Sequence, residues 1–537
     1  MDPRAFPLSD WWLRKAYLEL RCPLPLNLSP ALSFPLQHFP STADMIHYAA
    51  QLTRGLIAYK LLIDNDAIPV DQAGGAPMDM SQYKLLFGTN RTPRRGMDHL
   101  RYGRDSIHPV RHIVVASGGH FYKVKVLTKF GAPRSARQIA ELLRSVLQDS
   151  EVSWAADHPL GILTSEDRDI WADAYERIRS ASRQNSCNME DIESALFLLA
   201  LDKAPQDYDS KLNELHRQLL HGGGSAVNGA NRWFDKTLQF CVTTDGMSGL
   251  TYEHSPAEGP PVASLMDFVM DYVHDGVESE DAKGGMGTPK RLDFSLCQRD
   301  KLAILQASRK LDQKVANLEV EMAQFKEFGK NVPKAFRLSP DSFCQLAFQL
   351  TYHKLHDAHP PTYETGTLRW FHLGRTETIR LPSMASVAFV EKMRDASASP
   401  VDRAAALKAA VAEHKAYTMA AMKGAGMDRH MLGLRLAAEE LDKPTPPIFQ
   451  HPSYQRLLHF QLSTSQVPTK HDALMAFGPS AEDCYGICYN PQERQLNISC
   501  TTYRTGPPTS AKKFMETLGE SLHEMKEAME QGQKAKL

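Results

Sequence analysis

Residues 250–261, LTYEHSPAEGPP, contain a histidine and, four residues later, a glutamate, in a stretch that also holds three prolines. A histidine fixed beside a carboxylate can act as a general base, because the carboxylate orients the imidazole and selects its tautomer. A metal pair of the His-Glu-x-x-His kind needs a regular helix and a third ligand, and the prolines disfavour a helix at this point. From these residues alone, His254 is either a general base oriented by Glu258 or a structural histidine, which is the commoner role.

Other motifs in the first half of the chain give weaker chemical signals. No Gly-x-Ser-x-Gly elbow, the motif that carries a nucleophilic serine, is present. Without it, residues 221–224 (HGGG) cannot serve as an oxyanion motif, and they also lack the Lys-Ser/Thr of a phosphate loop. A tight turn is therefore the favoured interpretation of these glycines. Residues 231–237 (NRWFDKT) place three charges around two aromatic side chains. An ion-pair network that braces a strand is favoured there over direct catalysis.

Hydroxyl side chains and arginines cluster in the second half of the chain. Residues 362–380 (TYETGTLRWFHLGRTETIR) surround aromatic side chains with them, and residues 462–467 (LSTSQV) supply three hydroxyls in succession. If 462–467 is a strand, Ser463 and Ser465 lie on the same face. These groups form either a polar sheet face or a set of donors directed at an anion or a developing negative charge.

The bulk composition excludes several classes of protein. A chain of 537 residues predicts two domains. Its 62 Lys and Arg residues nearly balance its 63 Asp and Glu residues, so the net charge gives no reason to expect a nucleic-acid or membrane partner. Eight cysteines without zinc-ligand spacing suit a reducing compartment, and no apolar run approaches the roughly 20 residues that span a bilayer. The C-terminal Ala535, Lys536 and Leu537 resemble a peroxisomal import signal, which predicts an import receptor as partner and a peroxisomal location.

Periodicity predicts an α/β protein in which helices pack on mixed sheets. Residues 42–63, 136–147, 262–273, 299–325 and 511–531 are expected to be helices, residues 112–127 a hairpin, and residues 237–243 and 250–253 a pair of strands. The polar, glycine-bearing residues 274–290 are the best linker, so the domains are expected to be residues 1–285 and 286–537.

Several motifs resemble the carnitine/choline acyltransferase family. They are NRWFDKTLQF, YEHSPAEGPP, TYETGTLRWFHLGRTETIR, MDRHMLGLRL, HFQLSTSQVP and FGPSAEDCYGICYNP, and they run in order over nearly the whole chain. The resemblance implies two similarly folded domains related to chloramphenicol acetyltransferase, with the active-site tunnel between them. The first domain would carry the catalytic histidine, and the second would carry most contacts to coenzyme A (CoA) and carnitine.

The resemblance also implies a reaction: reversible transfer of acetyl and other short acyl groups between CoA and the hydroxyl of carnitine. His254 would be the general base, Glu258 would orient it, and Ser465 would stabilise the tetrahedral oxyanion. Both substrates would bind together, without an acyl-enzyme, a metal ion or a permanently bound cofactor, so that CoA or acetyl-CoA acts as a co-substrate. The protein is expected to be a monomer.

By the same resemblance, further residues have assigned roles. Met475 would fill the pocket that longer acyl chains occupy in relatives, and Thr365 stands where the family usually has serine. Binding of CoA is assigned to Lys330, Lys334, Asp341, Lys415 and Gln466. Binding of carnitine is assigned to Tyr363, Thr365, Thr376, Arg429, Ser463 and Phe477.

Two alternatives remain open. One is the same chemistry on medium-length acyl chains, and the other is a catalytically silent protein that binds acyl-CoA or acylcarnitine. The family occurs in both peroxisomes and mitochondria, so a mitochondrial location of another isoform is also expected.

Overall fold

The computed structural model describes residues 8–153, 156–506 and 508–535. Its α-helices are α1 (Leu8–Leu13), α2 (Thr42–Asp64), α3 (Ala136–Val152), α4 (Arg168–Ala181), α5 (Arg183–Ser194), α6 (Lys211–His221), α7 (Gly259–His274), α8 (Gln298–Asn317), α9 (Asn331–Ala335), α10 (Pro340–His356), α11 (Met384–Arg394), α12 (Pro400–Ala420), α13 (Asp428–Glu440), α14 (Pro447–Gln450), α15 (Pro452–Leu458) and α16 (Ala511–Lys534). In the part of the chain described here, no helix is long and apolar enough to cross a bilayer.

The strands form two large mixed sheets and two small hairpins. They are β1 (Ala31–Ser33), β2 (Gln72–Ala73), β3 (Ala76–Pro77), β4 (Asn90–Thr92), β5 (His99–Arg101), β6 (His112–Ser117), β7 (His120–Lys125), β8 (Leu198–Asp202), β9 (Leu238–Thr243), β10 (Ser248–Tyr252), β11 (Lys290–Arg291), β12 (Leu318–Phe325), β13 (Thr362–Thr367), β14 (Thr376–Leu381), β15 (Leu462–Gln466), β16 (Met475–Ala476), β17 (Tyr485–Pro491) and β18 (Leu496–Tyr503).

The first sheet has the order β11-β7-β6-β8-β9-β10-β1-β16. Strand β8 pairs in parallel with β6 and β9, and the other pairs are antiparallel. One face packs against α2, α3 and α7, and the other against α4, α5, α6 and α8. Burial on both faces explains why β8 reads as an uninterrupted apolar run with a single terminal aspartate.

The second sheet has the order β12-β18-β17-β15-β13-β14, with β15 parallel to both β13 and β17. Helices α10, α11, α12 and α16 cover one face of it and form a third apolar core. The two mixed sheets with packed helices confirm the predicted fold class.

Most predicted elements are confirmed, with shifted ends. The predicted helices at 42–63, 136–147, 262–273 and 511–531 correspond to α2, α3, α7 and α16, and the predicted hairpin to β6 and β7. The paired strands are β9 and β10.

The prediction of a single helix over residues 299–325 is wrong. Helix α8 ends at Asn317, and residues Leu318–Phe325 form β12, an edge strand paired with β18. The sequence LEVEMAQF alternates apolar and polar side chains, and that period of two matches the alternating burial of the strand. Charged residues on the half-exposed side of the strand had extended the apparent helical pattern.

The domain boundary at 285/286 remains a prediction. Strand β11 lies beyond it and pairs with β7 in the first sheet, and β16, from the far end of the chain, pairs with β1. The first sheet therefore includes two short strands from the second half of the sequence, and one of them contains Met475.

Candidate active site

A cleft of about 420 Å³ lies between the two sheets. One wall comes from the first half of the chain and includes Asn27, Ser29, His254 and Glu258. The opposite wall comes from β13, β14 and β15 and carries hydroxyl side chains, which belong to Tyr363, Thr365, Thr367, Thr376, Ser463 and Ser465. The sequence predicted a site between two domains, and these residues meet in this cleft.

His254 lies two residues beyond the end of β10, where backbone hydrogen bonds hold the chain. The N–H of His254 donates to the carbonyl of Leu28 (3.1 Å), and the N–H of Glu253 donates to the carbonyl of Thr237 (3.0 Å). Helix α7 begins at Gly259, so Glu258 is its N-cap, and two of the three prolines open the helix instead of lying in a loop. The histidine thus sits between a sheet and a helix N-terminus, and both fix its position.

Glu258 lies beside the imidazole and is itself held by Arg375. Its Oε2 is 3.7 Å from His254 Nε2, and its Oε1 accepts from Arg375 Nε at 2.5 Å. Burial acts to raise the pKa of Glu258, but Arg375 and then His254 outweigh it, and the pKa lies below its usual value. Glu258 is therefore ionised at neutral pH and favours a proton on the nearer imidazole nitrogen.

Sequence reasoning missed Arg375 and Tyr17. Arg375 donates to the carbonyl of Ser255 at 2.7 Å as well as to Glu258, so one guanidinium contacts both ends of residues 255–258. The Tyr17 hydroxyl is 3.2 Å from His254 Nδ1, and the two rings stack with centroids 5.6 Å apart. Burial raises the pKa of Tyr17, so its hydroxyl stays protonated. Arg375 was visible in the quoted motif, whereas Tyr17 carried no motif signal.

Two predicted hydroxyls face the cleft from strand β15. Ser463 and Ser465 both line it, and the alternating burial of β15 puts them on one face, as the period of two predicted. Between them, buried Thr464 points the other way and donates to the carbonyl of Tyr363 at 2.8 Å. The two serine hydroxyls are thus free of the hydrogen bonds that hold the sheet.

All residues assigned to carnitine except Arg429 line the cleft. Tyr363, Thr365 and Thr376 line it, whereas Arg429 lies behind Thr376. The Arg429 guanidinium donates to the Thr376 carbonyl (2.7 Å) and side-chain hydroxyl (3.3 Å) and stacks 3.6 Å over the ring of Trp12. Within the described ranges, no carboxylate lies at ion-pair distance from the Arg429 guanidinium, although only 6% of the residue is exposed and the Glu377 carboxylate accepts from its backbone N–H at 3.2 Å.

The residues assigned to CoA are more dispersed. Asp341 and Gln466 line the cleft. Lys330 is the N-cap of the short helix α9 and Lys334 lies within it, and each is 3.9 Å from the exposed Glu493. Lys415 is an exposed residue of α12 that does not reach the cleft wall.

Asp341 also belongs to a buried cluster with Glu364 and His414, whose potential metal-ligand atoms lie within 4.8 Å of one another. His414 Nε2 is 2.8 Å from Glu364 and its Nδ1 is 2.9 Å from the Ser342 hydroxyl, while the Tyr489 hydroxyl donates to Asp341 at 2.6 Å. These internal hydrogen bonds account for the cluster as a polar network. Burial and the neighbouring Asp341 carboxylate raise the pKa of Glu364.

Met475 and Phe477 line the cleft from the first sheet's last strand and the residues after it. The carbonyls of both residues accept hydrogen bonds of 2.6 Å from β18, through the Ser499 and Thr501 hydroxyls respectively. Met475 is 8% exposed and belongs to the apolar core on the α2 side of the sheet. It therefore forms a fixed apolar floor of the cleft.

Residues 231–237 form the predicted ion-pair network. Arg232 binds Asp202 at 2.7 Å and Asp235 binds Arg168 at 2.6 Å, with all four side chains buried. None of these residues lines the cleft. The network braces the sheet that carries His254.

Comparison with known proteins agrees with the motifs. The sequence profile of the family described as Choline/Carnitine o-acyltransferase matches residues 7–520. Carnitine O-acetyltransferases from Mus musculus and Homo sapiens are 39% and 38% identical to this chain over 532 residues, which is 99% of this chain and 84% of each relative. A choline O-acetyltransferase from Sus scrofa is 35% identical over 530 residues, covering 97% of this chain and 82% of that protein. The chain belongs to the choline/carnitine O-acyltransferase family and is an acyltransferase.

Proposed function

We propose that this protein transfers short acyl groups reversibly between CoA and carnitine, with His254 as the general base. The observation that carries the proposal is the position of His254, held by the Glu258–Arg375 pair and facing a wall of hydroxyl groups across a cleft between two sheets. A base for a hydroxyl or thiol acceptor needs this arrangement.

The proposed step is a direct acyl transfer. With Nε2 of His254 protonated toward Glu258, Nδ1 takes the proton of the carnitine hydroxyl, which replaces the Tyr17 hydroxyl at that nitrogen, as the carnitine oxygen attacks the thioester carbonyl. The tetrahedral oxyanion collapses, the C–S bond breaks, and the CoA thiolate receives the proton from the imidazolium. No bond to the protein forms, and the reverse reaction uses the same base on the thiol of CoA.

Ser465 supports the proposal because its hydroxyl has no partner among the hydrogen bonds of the described chain and faces the same cleft. A donor placed where negative charge develops lowers the barrier most when water is excluded. In the proposed mechanism, the Ser465 hydroxyl donates to the oxyanion.

Carnitine is proposed as acceptor, in preference to choline, because of Arg429. A buried guanidinium that forms no ion pair with a described residue suits a substrate that brings a carboxylate, and carnitine has a carboxylate where choline has none. Thr376 connects Arg429 to the cleft, and Tyr363 and Thr365 supply further hydroxyls to the cleft wall.

Short acyl groups are proposed because Met475 forms the cleft floor. A longer chain would have to displace a side chain that is packed in the core, and overpacking of a core is unfavourable. Import into peroxisomes through the C-terminal tripeptide is a separate proposal, since Lys536 and Leu537 lie outside the described residues.

The test is release of free thiol from acetyl-, butyryl- and octanoyl-CoA, with carnitine or choline as acceptor. The expected result is turnover with carnitine and the two short thioesters. Preference for choline would refute the role of Arg429, and preference for octanoyl-CoA would refute that of Met475. Binding of acyl-CoA without turnover by any pair would establish the silent-binder alternative.

A further inference from the structure

A second and larger cleft, of about 1040 Å³, lies at the β7–β11 edge of the first sheet. Its walls come from the segment between β5 and β6, from the end of β7 and residues 127–134, and from the glycine-bearing residues 283–287. None of its lining residues lines the candidate active site. The acyl transfer proposed above therefore assigns no role to this cleft.

The lining of this second cleft is strongly basic: it contains seven Lys and Arg residues and two acidic residues. Both acids are already paired, Glu190 with Arg101 at 2.5 Å and Asp105 with Arg104 at 3.6 Å. Lys123 pairs with Asp191, which leaves five lining cations without an ion pair in the described chain. These five are Arg111, Lys125, Lys129, Arg134 and Lys283.

Arg134 distinguishes this cleft from an ordinary basic surface. The residue is only 3% exposed, and no carboxylate of the described residues forms an ion pair with it. Its Nε donates to the carbonyl of Lys125, and its Nη2 donates to the carbonyls of Gly285 and Met286, but its buried Nη1 has no hydrogen-bond partner among the described residues. A buried cationic donor without an acceptor is costly, and a bound anion would satisfy it.

The neighbouring residues extend the same pattern. The Nε of Arg111 is also buried without a partner. In the glycine-bearing segment that Arg134 contacts, a Cβ added at Gly284, Gly285 or Gly287 would meet nothing within 4 Å, so this side of the cleft is open and unobstructed. Arg134 and Arg111, each with an unused guanidinium donor, thus both line a space large enough for a nucleotide-sized ligand.

We propose that this cleft is a binding site for a small anion that carries at least two phosphate groups. Guanidinium groups match phosphate oxygens in geometry, and lysines add charge at the rim, which is the combination that Arg134, Arg111 and Lys283 provide. The large volume and the unpaired cations favour a multiply charged metabolite over a single inorganic anion.

Isothermal titration of the full-length protein with inorganic pyrophosphate tests the proposal, with citrate as a polycarboxylate comparator. The informative variants are Arg134→Gln and the double variant Arg111→Gln/Lys283→Gln, whose residues are less buried than Arg134. Lys408→Gln, an exposed cation of α12, is the matched control. The double variant Lys330→Gln/Lys334→Gln reports on pyrophosphate bound where CoA is proposed to bind.

The expected result is one saturable site for pyrophosphate, weakened about tenfold or more by each cleft variant and unchanged by Lys408→Gln or by loss of the two CoA-site lysines. Unfolding of Arg134→Gln would leave the double variant to decide. If Lys408→Gln weakened pyrophosphate binding as much as the cleft variants do, the effect would be non-specific screening of charge. If only Lys330→Gln/Lys334→Gln abolished binding, pyrophosphate would bind in the CoA site. If citrate bound and pyrophosphate did not, the cleft would not recognise phosphate. Each of these three results, or no saturable binding, would overturn the proposal.

Discussion

Replacing Arg375 by methionine should destabilise the protein far more than loss of an ordinary ion pair. Arg375 is the partner of Glu258, which is 6% exposed, and the guanidinium also fastens the turn that carries His254. Methionine fills similar volume but leaves the carboxylate buried without a counter-ion. Removing one member of a buried pair costs about 3–5 kcal/mol, whereas replacing both members is much less costly.

The size of the effect can be expressed as a melting temperature. For a domain of 150–250 residues, 1 kcal/mol corresponds to about 2–4 °C, so a loss of about 3 kcal/mol predicts a fall of about 6–12 °C at neutral pH. The pH dependence has a definite sign. In the parent protein, the pKa of Glu258 is lower in the folded state than in the unfolded state. Its ionisation therefore stabilises the fold at pH values above the unfolded-state pKa, and this stabilisation is lost as the pH falls through the folded-state pKa. In the variant, the unpaired carboxylate has a raised pKa, so the penalty is largest at high pH and shrinks toward pH 5.

Differential scanning calorimetry at pH 7.5 and pH 5 measures this effect. Arg375→Met is compared with Glu258→Gln, with the double variant Arg375→Met/Glu258→Gln, and with Arg95→Met, which removes an exposed ion pair. The double variant should recover at least half of the loss, and Arg95→Met should leave the melting temperature essentially unchanged. Additive effects of the two single changes, or a penalty that grows as the pH falls, would refute the assignment of Glu258 as a buried carboxylate dependent on Arg375.

Three further predictions concern substrates. Arg429→Met should raise the KM for carnitine about ten- to hundredfold, because a hydrogen-bonded charged contact is worth about 1.5–3 kcal/mol, and steady-state kinetics at saturating acetyl-CoA will measure it. Met475→Gly should increase turnover of octanoyl-CoA relative to acetyl-CoA, by up to about 0.8 kcal/mol for each methylene that enters the vacated space. Lys330→Gln/Lys334→Gln should raise the KM for CoA about two- to tenfold and flatten its salt dependence, whereas Glu493→Gln should lower that KM.

Each of these predictions has a contradicting result. An unchanged KM for carnitine in Arg429→Met would mean that the substrate carboxylate binds elsewhere. Equal loss of activity on all acyl lengths in Met475→Gly would indicate a structural role only. If the KM for CoA were unchanged in Lys330→Gln/Lys334→Gln and in Glu493→Gln, these residues would not belong to the CoA site.

The sequence predicted the segment that carries His254 and Glu258 because its evidence is local. His254 and Glu258 are four residues apart, and the strand signals before them and the helical spacing after them are confirmed. The groups that complete the site are remote: Tyr17 is 237 residues from His254, and Arg375 is 117 residues from Glu258. Such contacts depend on how the two sheets meet, and single-chain periodicity carries no information about that.

The wrong helix at 299–325 and the position of β16 have a related cause. Residues 318–325 are charged enough to continue an amphipathic helix, and only pairing with β18, more than 170 residues later, makes them a strand. Met475 and Ala476 form a two-residue strand too short to predict, and it is defined by hydrogen bonds to β1 and from β18 side chains. Tertiary pairing decided both segments.

The most direct test of the central claim is thiol release from acetyl-CoA with carnitine, by the parent protein and by His254→Ala. Loss of the general base should lower kcat by about 10²–10⁴-fold, while the dissociation constant for CoA stays within about twofold. Because the proposed transfer is direct, the parent should release no stoichiometric burst of thiol when carnitine is omitted. A variant that keeps more than a tenth of the parent's kcat, or a burst equal to the enzyme concentration, would contradict the account.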